Sequence, residues 1–428
     1  MKSRDKITAF STNRTLKYYV LQHFSFLLIK NGGVGCFLMI SIDFFCRFFD
    51  LCYLCNVMAG IYVHIPFCKS RCIYCGFFST TSLEKRRSYV DAVVRELQDR
   101  RSFLGESSVD TIYFGGGTPS LLPVEETERL ISAIYNIYNV REDAEVTLEG
   151  NPDDMSPAML RGLKRIGVNR LSMGVQTFDN SRLDFLNRRH TAEQAVESVR
   201  AAQQLGFDNI SIDLMFGFPG QTIADWQADV DKALSLQVQH LSAYSLMYEE
   251  GTRLSRLLER GEIAEVDEEV SVQMYETLIT SLERAGYRHY ELSNFALPGR
   301  ESRHNSSYWH GVPYLGVGAG AHSYDGKNRY YHPDSLSDYL SGSSLVLEEL
   351  TKAERYGEYV FTGLRTSEGI RLDVLEQQFG ATFKSYCLHN AQKHVDAGNL
   401  VLQGDVLCLS RSGFFVSNDV MSDLMWVD

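Results

Sequence analysis

The stretch HIPFCKSRCIYCGFF, from His64 to Phe78, carries three thiols at Cys68, Cys72 and Cys75. Thiolates grouped this tightly in one loop can hold three irons of a cubane iron–sulfur cluster. Position 77, where a fourth thiol could sit, is Phe. The fourth iron then has no protein ligand, and its open coordination position becomes a binding site, as in catalytic metal centres. The same residues allow two other readings: a structural zinc site completed by His64, or three unrelated core cysteines. Zinc normally takes a closed set of four ligands, and no second Cys/His pair follows at zinc-ribbon spacing. The open cluster is therefore the stronger reading.

Groups that could serve a ligand of that iron recur downstream. The run YFGGGTPSLL (113–122) has three glycines, which let a backbone approach a ligand without a Cβ in the way, and then Thr118. Alone it is a weak signal, because glycine-rich turns after strands are common. Glu149 in LEGNPDD, Gln176 in MGVQTFD, Arg188 in LNRRH and Asp213 in SIDLMFGFPGQT follow. Singly, each would be a solvated or capping group. Together they suit a ligand bearing an amine, a carboxylate and ribose hydroxyls.

Elements must bring these residues to one place. Short β-branched or aromatic runs predict strands at 60–65, 109–115, 144–150, 169–175, 209–215 and 239–245. Helical patterns at 83–100, 124–138, 156–166, 192–205 and 222–236 lie between them. Such alternation predicts βαβ units and a parallel sheet. Six units without a dinucleotide fingerprint after the first strand predict an α/β fold, an incomplete (β/α)6 barrel. Its chemistry belongs at the carboxyl ends of the strands, where the candidate residues lie. A further helix is expected at 270–285, then the Gly- and aromatic-rich RHNSSYWHGVPYLGVGAGAHSY (303–324). Beyond residue 350, helices at 352–363, 371–378 and 383–397 and a hairpin turning at Gly404-Asp405 predict a small α+β, winged-helix-like C-terminal domain. The expected division is a barrel at 58–290, a linking segment at 291–349 and the C-terminal domain at 350–428.

Bulk composition narrows the function classes. The 428 residues carry a net charge of −12, and no basic recognition helix marks the winged-helix-like part, so no nucleic-acid partner is expected. Nine cysteines, unevenly placed, do not form a disulfide framework, and the tight cluster points to a reducing, cytoplasmic setting. The first 57 residues differ from the rest, with seven Lys/Arg against three Asp/Glu and eleven aromatics. Asp43, Arg47 and Asp50 interrupt their apolar run, and each charge near a helix centre costs about 2.5–3.5 kcal/mol, against a stable membrane span. This atypical extension is expected to reflect translation starting at Met58, with a peripheral membrane anchor as the alternative.

YVHIPFCKSRCIYCGFF, GGGTPSLL, GVQTFD and DLMFGFPGQT resemble the radical S-adenosyl-L-methionine (SAM) enzymes of the oxygen-independent coproporphyrinogen III oxidase family, over essentially residues 58–428. The resemblance implies a [4Fe-4S] cluster on Cys68, Cys72 and Cys75, with the amino and carboxylate groups of SAM on the fourth iron. It further implies an electron donor for the cluster and cleavage of SAM to methionine and a 5′-deoxyadenosyl radical. Carried across the matching motifs, it places SAM contacts on Tyr62, Tyr74, Gly116, Gly117, Thr118, Glu149, Gln176, Arg188 and Asp213. The glycine turn would take the methionine end; Glu149 and the later polar groups would take ribose and sulfonium.

Two departures single out a branch. The oxidase pattern continues to a further Cys where this chain has Phe77, and from Met58 the chain lacks the oxidase's N-terminal segment. Both are departures of the HemW branch, understood as heme chaperones that deliver heme to acceptors such as respiratory proteins. HNSSYW (304–309) is similar to that branch's HNxxYW signature. The resemblance makes His304 the candidate axial heme ligand, with Tyr308 and Trp309 covering the macrocycle; the other reading is a hydrogen-bonded core histidine. A heme chaperone is the expected function, with coproporphyrinogen III oxidation by a radical route as the alternative. Homodimerisation stays open.

Overall fold

The computed structural model describes residues 26–29, 36–39 and 58–427, in two units that divide at Met58. In the first unit, strands β1 (Phe26–Ile29) and β2 (Cys36–Met39) pair antiparallel. The remainder of the expected extension at 1–57, with the charges that interrupt its apolar run, lies outside the described residues. Among the described residues no helix is long and apolar enough to cross a membrane.

In the second unit, six strands run parallel in chain order: β3 (Met58–Ile65), β4 (Ser108–Gly116), β5 (Val140–Gly150), β6 (Arg170–Gln176), β7 (Ile210–Phe216) and β8 (His240–Ser245). Side chains alternate along each strand. Ile61, Val63, Ile112, Phe114, Val146, Leu148, Leu171, Met173, Ile212 and Leu214 join one hydrophobic core with residues of the intervening helices, such as Val93, Ile134, Leu163, Val199 and Trp226. The alternate positions are polar almost throughout: Tyr62, His64, Thr111, Tyr113, Glu145, Thr147, Glu149, Arg170, Ser172, Ser211, Asp213, His240 and Ser242. One face of the sheet is thus committed to helix packing and the other to polar chemistry.

The helices begin and end on local signals. Thr191 and Gln194 form a reciprocal capping box at Ala192–Gln204, and Thr222 and Asp225 do the same at Ile223–Ser235. Ser156 caps Pro157–Arg165 with Pro at the first helical position. These caps fix the helix starts, and through them the lengths of the connections that follow β5, β6 and β7.

Residues 291–349, expected to link two domains, instead extend the sheet at both ends. The hairpin β9 (Arg288–Glu291) and β10 (Asn294–Ala296) adds antiparallel to β8. Strand β11 (Tyr314–Val317) lies parallel to β3, and β12 (His322–Tyr324), β13 (Asn328–Tyr331) and β14 (Val346–Glu349) continue outward antiparallel. The result is a mixed sheet of twelve strands with two free ends and no closure into a ring. These strands are three or four residues long, too short for an alternating pattern to show in the sequence.

The C-terminal part has its own core, built from Tyr356, Val360, Leu364, Leu375, Leu407, Val420 and Leu424. Helices Lys352–Leu364, Leu372–Phe379 and Ala381–Asp396 pack with a small sheet in which β17 (Val406–Leu409) lies between β15 (Ile370–Arg371) and β16 (Leu400–Gln403). Gly404, at φ 61°, makes the expected β16–β17 turn. Arg365 reaches from this part to the fully buried Glu291, with Nη2 2.6 Å from Oε1.

Candidate functional site

The cysteine loop leaves β3 and is pinned at both ends. Thr80 donates its N–H to the Pro66 carbonyl and accepts from the Cys68 N–H at 2.9 Å. On its far side Ile73 packs with Leu186, Met215, Phe218, Leu246 and Leu254, residues of the later strand-end loops. Cys68, Cys72 and Cys75 are free thiols, each half-buried, and burial pushes the Cys68 and Cys75 thiols up. The Cys68 Sγ lies 3.5 Å from Thr118 Oγ1, and Arg188 Nη1 donates to Cys72 Sγ at 3.4 Å. Among the described residues no three side chains converge on one ion, whereas a cubane gives each thiolate its own iron. His64, the alternative zinc ligand, faces Tyr62 Oη at 3.0 Å through Nδ1 and the Phe78 carbonyl at 3.2 Å through Nε2.

The glycine turn approaches this loop, not empty space. Gly116 holds φ at 108°, and a Cβ there would sit 2.4 Å from the His64 ring. A Cβ on Gly117 would lie 2.7 Å from the Pro66 carbonyl carbon and 2.9 Å from the Ile65 oxygen. Both glycines therefore let the turn after β4 seat directly on the backbone that carries the thiols.

Glu149, at the end of β5, accepts from Tyr113 Oη at 2.7 Å and from the Gly116 N–H at 3.3 Å. Burial pushes its carboxyl up to about 7, more than these hydrogen bonds pull it down. Arg188 donates through Nη2 to Asn151 Oδ1 at 2.7 Å and to the Gly174 carbonyl at 2.5 Å, while its buried Nε meets no partner. Gln176 takes φ 70°, a left-handed conformation that a non-glycine residue adopts only when its surroundings hold it there. It closes a register shift between β6 and β7, and its Nε2 shares the space over Gly174 with Arg188. Asp213 accepts from Ser172 Oγ at 3.5 Å, and burial raises its carboxyl. The Tyr62 ring stacks on Tyr113 with centroids 6.2 Å apart, and burial pushes the Tyr62 and Tyr74 phenols up.

Thr118, Arg188, Glu149, Gly116 and Gly117 are thus linked to the thiol loop or to one another by direct contact. Tyr113, Asn151 and Ser172 belong to the same network and escape a motif-based reading. The signal that finds them is alternation: Tyr113 and Ser172 share the polar strand face with Tyr62, Glu149 and Asp213. The residues fit a cluster with a bound amino acid moiety, since three thiols stand in one pinned loop and a buried guanidinium nitrogen beside them lacks an acceptor.

His304 lies apart from this pattern. It is the second residue of the helix Arg303–Trp309 and is 1% exposed. Nδ1 meets Thr111 Oγ1 and Nε2 meets Tyr308 Oη, both at 2.7 Å, and the ring stacks on Tyr113 with centroids 5.0 Å apart. Burial, helped by the nearby Arg170 charge, holds its imidazole down at about 3, so it stays neutral. Both ring nitrogens are engaged in hydrogen bonds. The environment is that of a hydrogen-bonded core histidine.

Comparison with known proteins adds to this geometry. A family model for the radical SAM superfamily matches residues 62–233, and one for the HemN C-terminal domain matches residues 350–416. The chain is 35% identical over 372 residues to the heme chaperone HemW of Lactococcus lactis, covering 86% of this chain and 97% of that protein. It is 34% identical to the heme chaperone HemW of Bacillus subtilis, covering 85% and 98%. Radical S-adenosyl methionine domain-containing protein 1, mitochondrial, of Bos taurus is 33% identical, covering 86% and 87%. The fold matches that of coproporphyrinogen III oxidase (HemN) from Escherichia coli with a TM-score of 0.75 at 23% identity, covering 86% and 90%. The radical SAM match implies SAM and a [4Fe-4S] cluster.

Proposed function

The chain belongs to the HemW family of radical SAM proteins, and from that premise we propose that it is a heme chaperone that passes heme to an acceptor protein. The observation that carries this reading is its identity of 34–35% to heme chaperones along nearly their whole length. Phe77 supports it over the oxidase alternative: the side chain at the position of the oxidase's further thiol is apolar and 75% exposed.

In this reading Cys68, Cys72 and Cys75 hold a [4Fe-4S] cluster. The cluster with SAM supplies one-electron chemistry when bound. Thr118 and Arg188 orient the thiol loop through Cys68 and Cys72. The unmatched Arg188 Nε is suited to a carboxylate. Glu149, Gln176 and Asp213 offer acceptors and donors to an amine and ribose hydroxyls, with Tyr62 and Tyr74 walling the site and the turn at Gly116, Gly117 and Thr118 closing it. Because burial holds Glu149 near neutrality at about 7, a cationic ligand beside it favours the ionised carboxylate.

The test is anaerobic reconstitution followed by heme titration, with and without SAM, and transfer to an apo-respiratory protein. The expected result is a heme-loaded protein that yields its heme to the acceptor. Formation of protoporphyrinogen from coproporphyrinogen under the same conditions would establish the oxidase instead.

A further inference from the structure

Directly after Glu149 the chain reads GNPDDM, and the turn it makes carries two carboxylates. Pro152 opens a 3-10 turn at Pro152–Asp154, and the Asp154 N–H closes it on the Asn151 carbonyl at 3.0 Å. The turn packs closely: a Cβ on Gly150 would lie 2.1 Å from Met155 Cε and 2.9 Å from Ser120 Cβ. The Asp154 side chain is only 5% exposed, so its charge depends on partners within the protein.

Those partners come from three other segments of the site. Asp154 Oδ1 takes Lys69 Nζ at 2.8 Å, from the span between Cys68 and Cys72. Asp154 Oδ2 takes Nη2 of Arg189, the neighbour of Arg188, at 3.0 Å. The same oxygen accepts from the Ser120 hydroxyl at 3.3 Å, just beyond Thr118. Ser120 Oγ in turn accepts the Asn151 N–H at 3.3 Å, and Asn151 Oδ1 accepts from Arg188, which donates to Cys72 Sγ. One buried carboxylate thus ties the thiol loop, the glycine turn and the arginine pair together. The two cations depend on it unequally. Arg189 also pairs with Asp153 at 2.8 Å, whereas Asp154 is the one carboxylate paired with Lys69 among the described residues.

We propose that Asp154 is a positioning residue of the cluster site: it holds the span between Cys68 and Cys72 in the shape that retains the cluster, and it offsets the Lys69 charge. The inference rests on the assignment of a [4Fe-4S] cluster to the three thiols. Asp154 acts through other residues, through Lys69 beside Cys68 and through Ser120, Asn151 and Arg188 on Cys72. Two consequences follow from its charge. An amide in its place keeps the size but attracts both cations weakly, so the thiol loop loosens. It also leaves Lys69 without an anionic partner next to the cluster, and added positive charge favours the more negative, reduced cluster.

The test is anaerobic reconstitution of the full-length chain as wild type, Asp154→Asn, Asp154→Glu, Lys69→Met and the double variant of Asp154→Asn with Lys69→Met. Circular dichroism verifies folding. Two quantities are read: the rate at which a chelator bleaches the iron–sulfur absorbance, and the midpoint potential of the cluster. We expect Asp154→Asn to lose its cluster at least about tenfold faster, the scale set by removing a partner that orients metal ligands. Its potential is expected to move to more positive values, and Asp154→Glu to restore much of both. Lys69→Met loses its cluster faster than the wild type by a smaller factor. In the double variant the potential returns toward the wild-type value while loss stays fast, a split that general destabilisation does not produce. A folded Asp154→Asn with the wild-type loss rate and potential overturns the inference, while the cluster assignment stands. If Asp154→Asn does not fold, a wild-type loss rate in Lys69→Met is the overturning result. A wild-type chain that takes up no cluster removes the assignment itself, and the inference with it.

Discussion

The cysteine loop and the segment from His304 to Tyr331 are both dense in residues capable of metal chemistry, yet their hydrogen bonding differs. Around the thiols, Arg188 Nε is buried without an acceptor, and Thr118 and Arg188 meet the sulfurs of Cys68 and Cys72. At the start of the second segment, His304 has a partner on each nitrogen and is sealed by Tyr62, Tyr113 and Tyr308. Six residues on, His310 has one nitrogen on a carbonyl and the other on the exposed Glu368 carboxylate, beside a cavity. Buried polar groups are nearly always satisfied, so an unsatisfied one beside a metal-binding loop needs an explanation, which a ligand supplies. A motif alone does not separate these cases; saturation of the donors and acceptors does.

The largest effect expected separates the two regions outright. Cys72→Ala should abolish the iron–sulfur absorbance after anaerobic reconstitution, while heme titration of the same variant stays as in the wild type. A full cluster in Cys72→Ala would reject the thiol assignment, and loss of heme binding would show that the regions are not independent.

Next in size is the contact that joins the C-terminal part to the sheet edge. Arg365→Met leaves the Glu291 carboxylate fully buried without its partner. Removing one member of a buried pair costs about 3–5 kcal/mol. Denaturant unfolding should show that loss, and a much smaller one would mean that Ser293, Asn294 and water carry the charge instead.

The smallest effect concerns Glu149, and its sign follows from burial. A carboxyl raised from 4.5 to about 7 binds its proton more tightly in the folded state than in the unfolded one. Between these values the folded state holds more protons, so stability falls as pH rises through about 4.5 to 7. Glu149→Gln should flatten that slope and stabilise the ligand-free protein above pH 7 by on the order of 1–3 kcal/mol. Thermal unfolding across this range reads it directly; an unchanged slope would remove Glu149 as the source.

Much of this molecule is legible along the chain. The alternation of apolar and polar residues in YVHI, TIYFG, TLEG, RLSMG, SIDLM and HLSAYS places five of the six parallel strands within two residues of their observed bounds, while β5 begins at Val140, four residues before the expected start. It also indicates which face is polar, and hence Tyr113 and Ser172 as neighbours of Glu149 and Asp213. The outer strands β9–β14 are not legible, because three or four residues punctuated by glycine carry no periodicity. Gly316 shows why glycine recurs there: a Cβ would lie 1.9 Å from the His322 carbonyl oxygen, so β11 and β12 close on each other only without a side chain. The glycine turn at 115–117 is legible as a close approach, but what it approaches is not.

The sequence by itself determined the thiol spacing, the strand alternation, the helix caps and the polar character of the strand ends, since each depends on residues within a few positions of one another. The tertiary structure alone decided which edge each short strand joins, how the cavity beside His310 is bounded, and which histidine is saturated. The physical reason is the reach of the interactions: His304 is matched by Thr111, 193 positions earlier. A hydrogen bond across that distance exists only once β4 and the helix Arg303–Trp309 have been packed together, and no local spacing encodes it.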